Sequence, residues 1–202
     1  MGNKLEAVKT VVTPPQMLEA LGRGWMRLFN SAPSREACAV LIAQWAFETG
    51  WGKSMICFNP GNIRCPDVNG RWDYCTYNTW EIVNGARVAG PGTFRAFASL
   101  EDGCADYLGF LHDRYRGNDG CSAVWDAVTA GDPDKFVHLI KAHGYFTGDE
   151  TTYDKAVASI FRSINKLPES DWEQQLRFGA PTVKDLSAVA PANDGTDNGD
   201  AA

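Results

Sequence analysis

Along most of this chain hydrophobic residues recur every three or four positions, but between residues 53 and 98 they alternate among turn residues instead. The first helical stripe is Met17, Leu18, Leu21, Trp25 and Leu28; Thr13 is placed to cap it, Pro14 to open it, and Gly22 and Gly24 are its weak points. Ser31 to Ser34 turns the chain into a second helix, in which Leu41, Trp45 and Glu48 share one face and Gly50 and Gly52 are natural stops. In the alternating stretch, Asn84-Gly85 between Trp80-Glu81-Ile82-Val83 and Ala86-Arg87-Val88 predicts a hairpin with a type I′ turn. A separate short strand is expected over Thr93 to Phe97, after Gly90-Pro91-Gly92. Helices resume at Ser99, with Asp102 three residues on as a shortened capping box and a stripe of Leu100, Cys104, Tyr107, Leu108 and Leu111. Short helices are expected near Ser122–Thr129 and Pro133–Ala142, and a last one near Thr152–Asn165 carries Tyr153, Val157, Ile160 and Ile164.

This order of elements predicts an α+β fold: a mainly helical domain interrupted by a small β-hairpin lobe that flanks a cleft, with Glu48 at the hinge. The expected boundaries are an N-terminal arm over 1–12, one domain over 13–178 and a disordered acidic tail over 179–202, where Ala, Pro, Asp, Asn and Gly leave almost nothing to bury.

Composition narrows the classes. With 202 residues there is length for one domain with a sizeable core. A net charge of −6 and the lack of a long Lys/Arg cluster argue against a nucleic-acid partner. No apolar run reaches spanning length, and Met1 to Thr13 has no secretory-signal pattern, so delivery by a phage, a virion or a secretion system is expected if the protein works outside the cytoplasm. Of the six cysteines, Cys38 and Cys104 read as small core residues, whereas Cys57, Cys65 and Cys75 lie in a loop-rich stretch where one bridge is plausible and Cys121 lies beyond. Without Cys-x-x-Cys spacing or a nearby His, neither a metal ion nor a cofactor is expected.

Glu48 is the residue that points to chemistry. A carboxyl on an apolar stripe is costly to ionise, and the negative end of its helix disfavours ionisation further. Both effects raise its pKa, as a general acid that protonates a glycosidic oxygen near neutral pH requires.

The surrounding residues carry a family resemblance. Ala43-Gln44-Trp45-Ala46-Phe47-Glu48-Thr49-Gly50-Trp51-Gly52 resembles the Ala-Gln-x-Ala-x-Glu-Ser-Gly-Trp-Gly signature of the β-N-acetylglucosaminidases of glycoside hydrolase family 73. Phe58-Asn59-Pro60-Gly61-Asn62-Ile63-Arg64 is similar to the family's Asn-Leu-Phe-Gly-Ile-Lys segment, with Asn59-Pro60-Gly61-Asn62 departing from the usual Leu-Phe-Gly. Thr79 to Gly85 resembles its Thr-x-Glu-Tyr-x-Asn-Gly hairpin, and Thr93 to Ser99 with Ala105-Asp106-Tyr107 its Phe-Arg-x-Tyr-x-Ser and Asp-Tyr elements. Gly144-Tyr145-Phe146-Thr147 followed by Tyr153 resembles Gly-Tyr-Ala-Thr-Asp-x-x-Tyr. The matches keep family order across residues 35–165.

The resemblance implies a lysozyme-like fold that cuts the β-1,4 bond between N-acetylglucosamine and N-acetylmuramic acid in peptidoglycan glycan strands, in the cell wall or periplasm, as a monomer. It implies Glu48 as general acid, Glu81 as second carboxylate and Tyr145 as a supporting cleft residue. Trp51, Asn62 and Tyr153 are expected on the substrate side, with a core role the alternative for Trp51 and Tyr153. If Glu81 is not the base, the sugar's own acetamido group can supply the nucleophile. The rival readings are a muramidase or lytic transglycosylase on the same polymer, a cysteine peptidase pairing a Cys with His112, His138 or His143, and a non-catalytic wall-binding or virion module.

Overall fold

The computed structural model describes residues 2–83, 86–117 and 120–167. Helix α1 (Pro14–Phe29) begins where Thr13 and Pro14 place it, and the Gln16 side chain turns back to accept from the Thr13 N–H and hydroxyl, both at 2.9 Å. Met17, Leu18, Leu21 and Trp25 are buried as the stripe requires, but Leu28 is exposed. Phe29, four residues after Trp25, takes the inward place instead and packs against Trp25 and Trp125.

Helix α2 (Arg35–Thr49) differs from the single stripe expected of it. Every residue from Ala37 to Ala46 is buried, so the helix is enclosed on all sides. Its small residues Ala37, Cys38, Ala39, Ala43 and Ala46 let neighbouring helices approach, while Val40, Leu41, Ile42 and Trp45 fill the space between them. Ser34 caps it by accepting from the Ala37 N–H at 3.1 Å.

Strands β1 (Tyr74–Val83) and β2 (Ala86–Arg95) form one antiparallel ribbon in the register Cys75↔Phe94, Asn78↔Pro91 and Glu81↔Val88. The ribbon is longer than expected, and Thr93 to Arg95 belong to β2 rather than to a separate strand. Pro91 does not break it because a strand of a two-stranded ribbon has a free edge, where a missing N–H leaves no ladder bond unmade. The turn expected at Asn84-Gly85 lies outside the described residues, as do the expected tail over 179–202 and the domain boundary at 178.

Helices α3 (Leu100–Asp113), α4 (Ala123–Ala130), α5 (Pro133–Ala142) and α6 (Glu150–Asn165) follow, each with a side-chain cap, from Ser99, Ser122, Asp132 and Asp149 in turn. Helix α6 starts two residues earlier than its stripe suggests because Asp149 accepts from the Thr152 N–H at 2.7 Å. α6 and α4 pack on α2, and α1 packs on α3. Cys38 and Cys104 are core residues, as expected. The arm over residues 2–12 is hydrogen-bonded onto its neighbours: Cys57 N–H to Val8 O, Thr10 N–H to Met55 O and Tyr74 N–H to Asn3 O.

A buried ion pair joins the ribbon to the helical body. Arg95 Nη1, at the end of β2, donates to Asp106 Oδ2 on α3 at 2.7 Å, and Trp72 Nε1 donates to Asp106 Oδ1 at 2.7 Å. The Arg95 guanidinium also lies 3.7 Å from the Trp72 ring centroid.

Candidate active site

Glu48 is the penultimate residue of α2, and a tight exit turn fixes its position. Thr49 Oγ1 donates to Trp45 O at 2.6 Å and accepts from Gly52 N–H at 2.9 Å, while Ser54 Oγ donates to Thr49 O at 2.9 Å. Gly50, Trp51 and Gly52 follow one another in left-handed conformation, with φ of 54°, 60° and 77°. Cys57, Phe58 and Asn62 also have positive φ, so the segment after α2 holds several residues in a conformation side chains disfavour. That segment delivers Asn62 to Glu48: its Nδ2 lies 3.2 Å from the Glu48 carbonyl and 3.4 Å from Glu48 Oε2.

The other carboxyl oxygen faces the helical core. Tyr153 Oη on α6 donates to Glu48 Oε1 at 2.6 Å. Behind it, Gln44 Nε2 approaches Tyr153 Oη at 3.3 Å, and Tyr107 on α3 donates to Gln44 Oε1. Tyr145, in the α5–α6 loop, donates to the Gly61 carbonyl. Burial pushes the pKa of Glu48 above the ordinary carboxylate value, and the hydrogen bonds from Tyr153 and Asn62 pull the other way with smaller effect. Burial likewise holds the phenols of Tyr107, Tyr145 and Tyr153 well above their ordinary value, so they remain protonated donors. The cluster presents a half-buried carboxyl biased toward its protonated form.

Gly61 is required where it stands. A Cβ there would lie 2.8 Å from the Tyr107 ring and 2.9 Å from Tyr145 Oη, closer than side-chain carbons approach.

Glu81 is placed differently. It stands on β1 with its side chain 43% exposed and is ion-paired with Arg64. It lines a 170 Å³ hollow with Arg64, Thr79, Trp80 and Pro91. The ribbon reaches the Tyr145 loop one residue later, where the Ile82 N–H donates to Thr147 Oγ1 at 3.1 Å. The structure thus gathers Glu48, Asn62 and Tyr153 into one hydrogen-bonded cluster and sets Tyr145 beside it through Gly61. Trp51 is half-buried against the core at the α2 exit, and Glu81 belongs to the ribbon. Tyr153 is buried, with its hydroxyl committed to Glu48. Sequence reasoning missed Gln44, although a lone polar residue inside the apolar run 37–46 was a signal for it. Among the described residues no group of three or more His, Cys, Asp or Glu side chains is placed to hold a metal ion.

Comparison with known proteins adds to this geometry. A model of the glucosaminidase family, described as mannosyl-glycoprotein endo-beta-N-acetylglucosaminidase, matches residues 35–166. The chain is 34% identical over 130 residues to the peptidoglycan hydrolase FlgJ of Pseudomonas aeruginosa, covering 61% of this chain and 30% of that protein. It is 31% identical over 134 residues to the FlgJ of Vibrio cholerae, covering 64% and 38%. The chain therefore spans about a third of the length of these curated relatives. Among solved structures, a peptidoglycan hydrolase mutant from Sphingomonas sp. A1 superposes with a TM-score of 0.50 at 22% identity, over 81% of this chain and 98% of that one. The catalytic domain of the autolysin Auto from Listeria monocytogenes superposes with a TM-score of 0.51 at 20% identity, over 78% and 88%. These likenesses give the mainly helical α+β fold that the order of elements predicted.

Proposed function

This chain belongs to the glucosaminidase family, and from that premise we propose that it hydrolyses peptidoglycan at the β-1,4 bond between N-acetylglucosamine and N-acetylmuramic acid, with Glu48 as general acid. The observation that carries the reading is the Glu48 carboxyl itself, desolvated at the end of α2 and held by Tyr153 on one oxygen and Asn62 near the other. Its proton passes to the glycosidic oxygen as the bond from that oxygen to the anomeric carbon breaks, and positive charge develops on the sugar ring. The ring is then captured either by water that Glu81 activates or by the substrate's own acetamido oxygen, followed by water. Glu81 must leave Arg64 to act as the base; the acetamido route makes no such demand. Tyr145 holds the 59–62 loop against the acid, and Trp51, half-buried at the α2 exit, would take the substrate side. That the FlgJ relatives are peptidoglycan hydrolases supports peptidoglycan as the polymer and the cell wall or periplasm as the place of action.

Mass spectrometry of purified peptidoglycan after digestion tests the reading. New reducing ends on N-acetylglucosamine are expected. Reducing muramic acid ends would replace it with a muramidase, and anhydromuramic ends with a lytic transglycosylase.

A further inference from the structure

The amide of Gln44 sits between Tyr107 and Tyr153, and its two ends set the direction of the hydrogen bonds to both. The amide oxygen of Gln44 accepts from the Tyr107 hydroxyl, which leaves the amide nitrogen to face Tyr153 Oη at 3.3 Å. With its oxygen engaged by an N–H, Tyr153 has its own hydrogen free only for Glu48 Oε1, at 2.6 Å.

We propose that Gln44 and Tyr107, neither of which touches the reacting atoms, are positioning residues that lock the Tyr153 hydroxyl as a permanent donor to Glu48 Oε1 and so confine the acid's proton to Oε2. An oxygen that already receives a hydrogen bond along its accessible direction is a poor seat for a proton, because protonation would set two hydrogens against each other. Oε2 is the oxygen on the Asn62 side, where the amide is 3.4 Å away and the approach is less engaged. Gln44 and Tyr107 are fully buried, so water cannot substitute for either bond. The titratable groups that face Glu48 are Tyr153 from α6, Tyr107 from α3, Tyr145 from the α5–α6 loop and Tyr77 from β1. The significance for catalysis rests on Glu48 being the general acid; the lock itself is a property of the free protein.

The test is a carbon-13 NMR titration of the protein labelled at the glutamate side-chain carboxyl, without glycan, with the Glu48 signal assigned by its loss in Glu48→Gln. In Gln44→Met and Tyr107→Phe, Tyr153 is released to accept as well as donate, which favours protonated Glu48. Its midpoint should rise by roughly half to one pH unit. Tyr153→Phe removes the donor outright and should raise it by about one to two units. The Glu81 signal, outside the cluster, should keep its midpoint in all three. A merely structural Gln44 would lower the melting temperature and leave the Glu48 midpoint in place. A wild-type or lowered midpoint in folded Gln44→Met overturns the proposal. If that variant does not fold, Tyr107→Phe, which loses one hydroxyl and little volume, decides in its place. Because no glycan is present, failure of the lock and failure of the glycosidase reading appear in different experiments.

Discussion

Removing the Asp106 carboxylate should loosen the join between ribbon and helices more than any exposed ion pair in the chain could. The side chains of Arg95 and Asp106 are only 9% and 13% exposed, so Asp106→Ala leaves a guanidinium stranded among Trp72 and Phe110. It also orphans Trp72 Nε1, whose 2.7 Å bond runs to the same carboxylate. Breaking one side of a buried pair costs about 3–5 kcal/mol, and the lost indole bond lies within that range because the two effects share one group. Stacking on Trp72 retains part of the arginine's stabilisation, so the lower half, about 3–4 kcal/mol, is expected. For a domain of this size that corresponds to a melting point lower by about 6–16 °C. Urea unfolding followed by tryptophan fluorescence measures it. The double variant Arg95→Met with Asp106→Leu removes both charges and should be less destabilised than Asp106→Ala alone, since no buried charge then lacks a partner. A loss under about 1 kcal/mol for Asp106→Ala, or a double variant worse than the single, would refute the argument from a stranded charge.

Gly61→Ala should lower both stability, by about 1–3 kcal/mol, and glycan cleavage, because the methyl group meets Tyr107 and Tyr145 at under 3 Å; thermal melting and a turbidity assay on purified walls check it. Glu48 gives a pH-dependent effect whose sign follows from burial. Its folded pKa lies above the ordinary 4.5, so the fold favours the protonated form, and that contribution is complete below the ordinary value and lost as pH rises through the raised one. Glu48→Gln, which stays neutral, should therefore melt above wild type near about pH 8 and lose the advantage toward about pH 4, as calorimetry across that range would record. Arg64→Met should move the melting point little, since a pair exposed on both sides contributes only about 0–1 kcal/mol; a larger drop in thermal unfolding would mean that Arg64 supports the ribbon in some other way.

Local signals along the chain were legible because they are local. Thr13-Pro14, Ser34, Ser99 and Asp132-Pro133 mark helix starts through hydrogen bonds closed within three or four residues. Periodicity failed at α2, where Leu41, Trp45 and Glu48 suggested one buried face and the helix is buried on every face; the placing of Glu48 at its end held nonetheless. The site was legible in part. Glu48 announces itself as a carboxyl beside apolar neighbours, but its partner Tyr153 lies 105 residues away on a stripe that reads equally well as core. The Tyr153 ring is indeed buried, while its hydroxyl serves the carboxyl, a pairing that no local pattern could reveal. Asp106 was visible only as a matched motif residue, because an ion pair between strand end and helix needs the third dimension to be seen.

The most direct test of the central claim is the rate at which Glu48→Gln cuts purified peptidoglycan at the pH optimum of the wild type. The substituted amide can still accept from Tyr153 and fill the same volume, so the fold and the binding surface stay in place while the transferable proton is gone. A loss of about 10²–10⁴-fold, with a melting temperature no lower than that of wild type, is predicted for a general acid. Cleavage within tenfold of wild type would contradict it and move the chemistry to another residue.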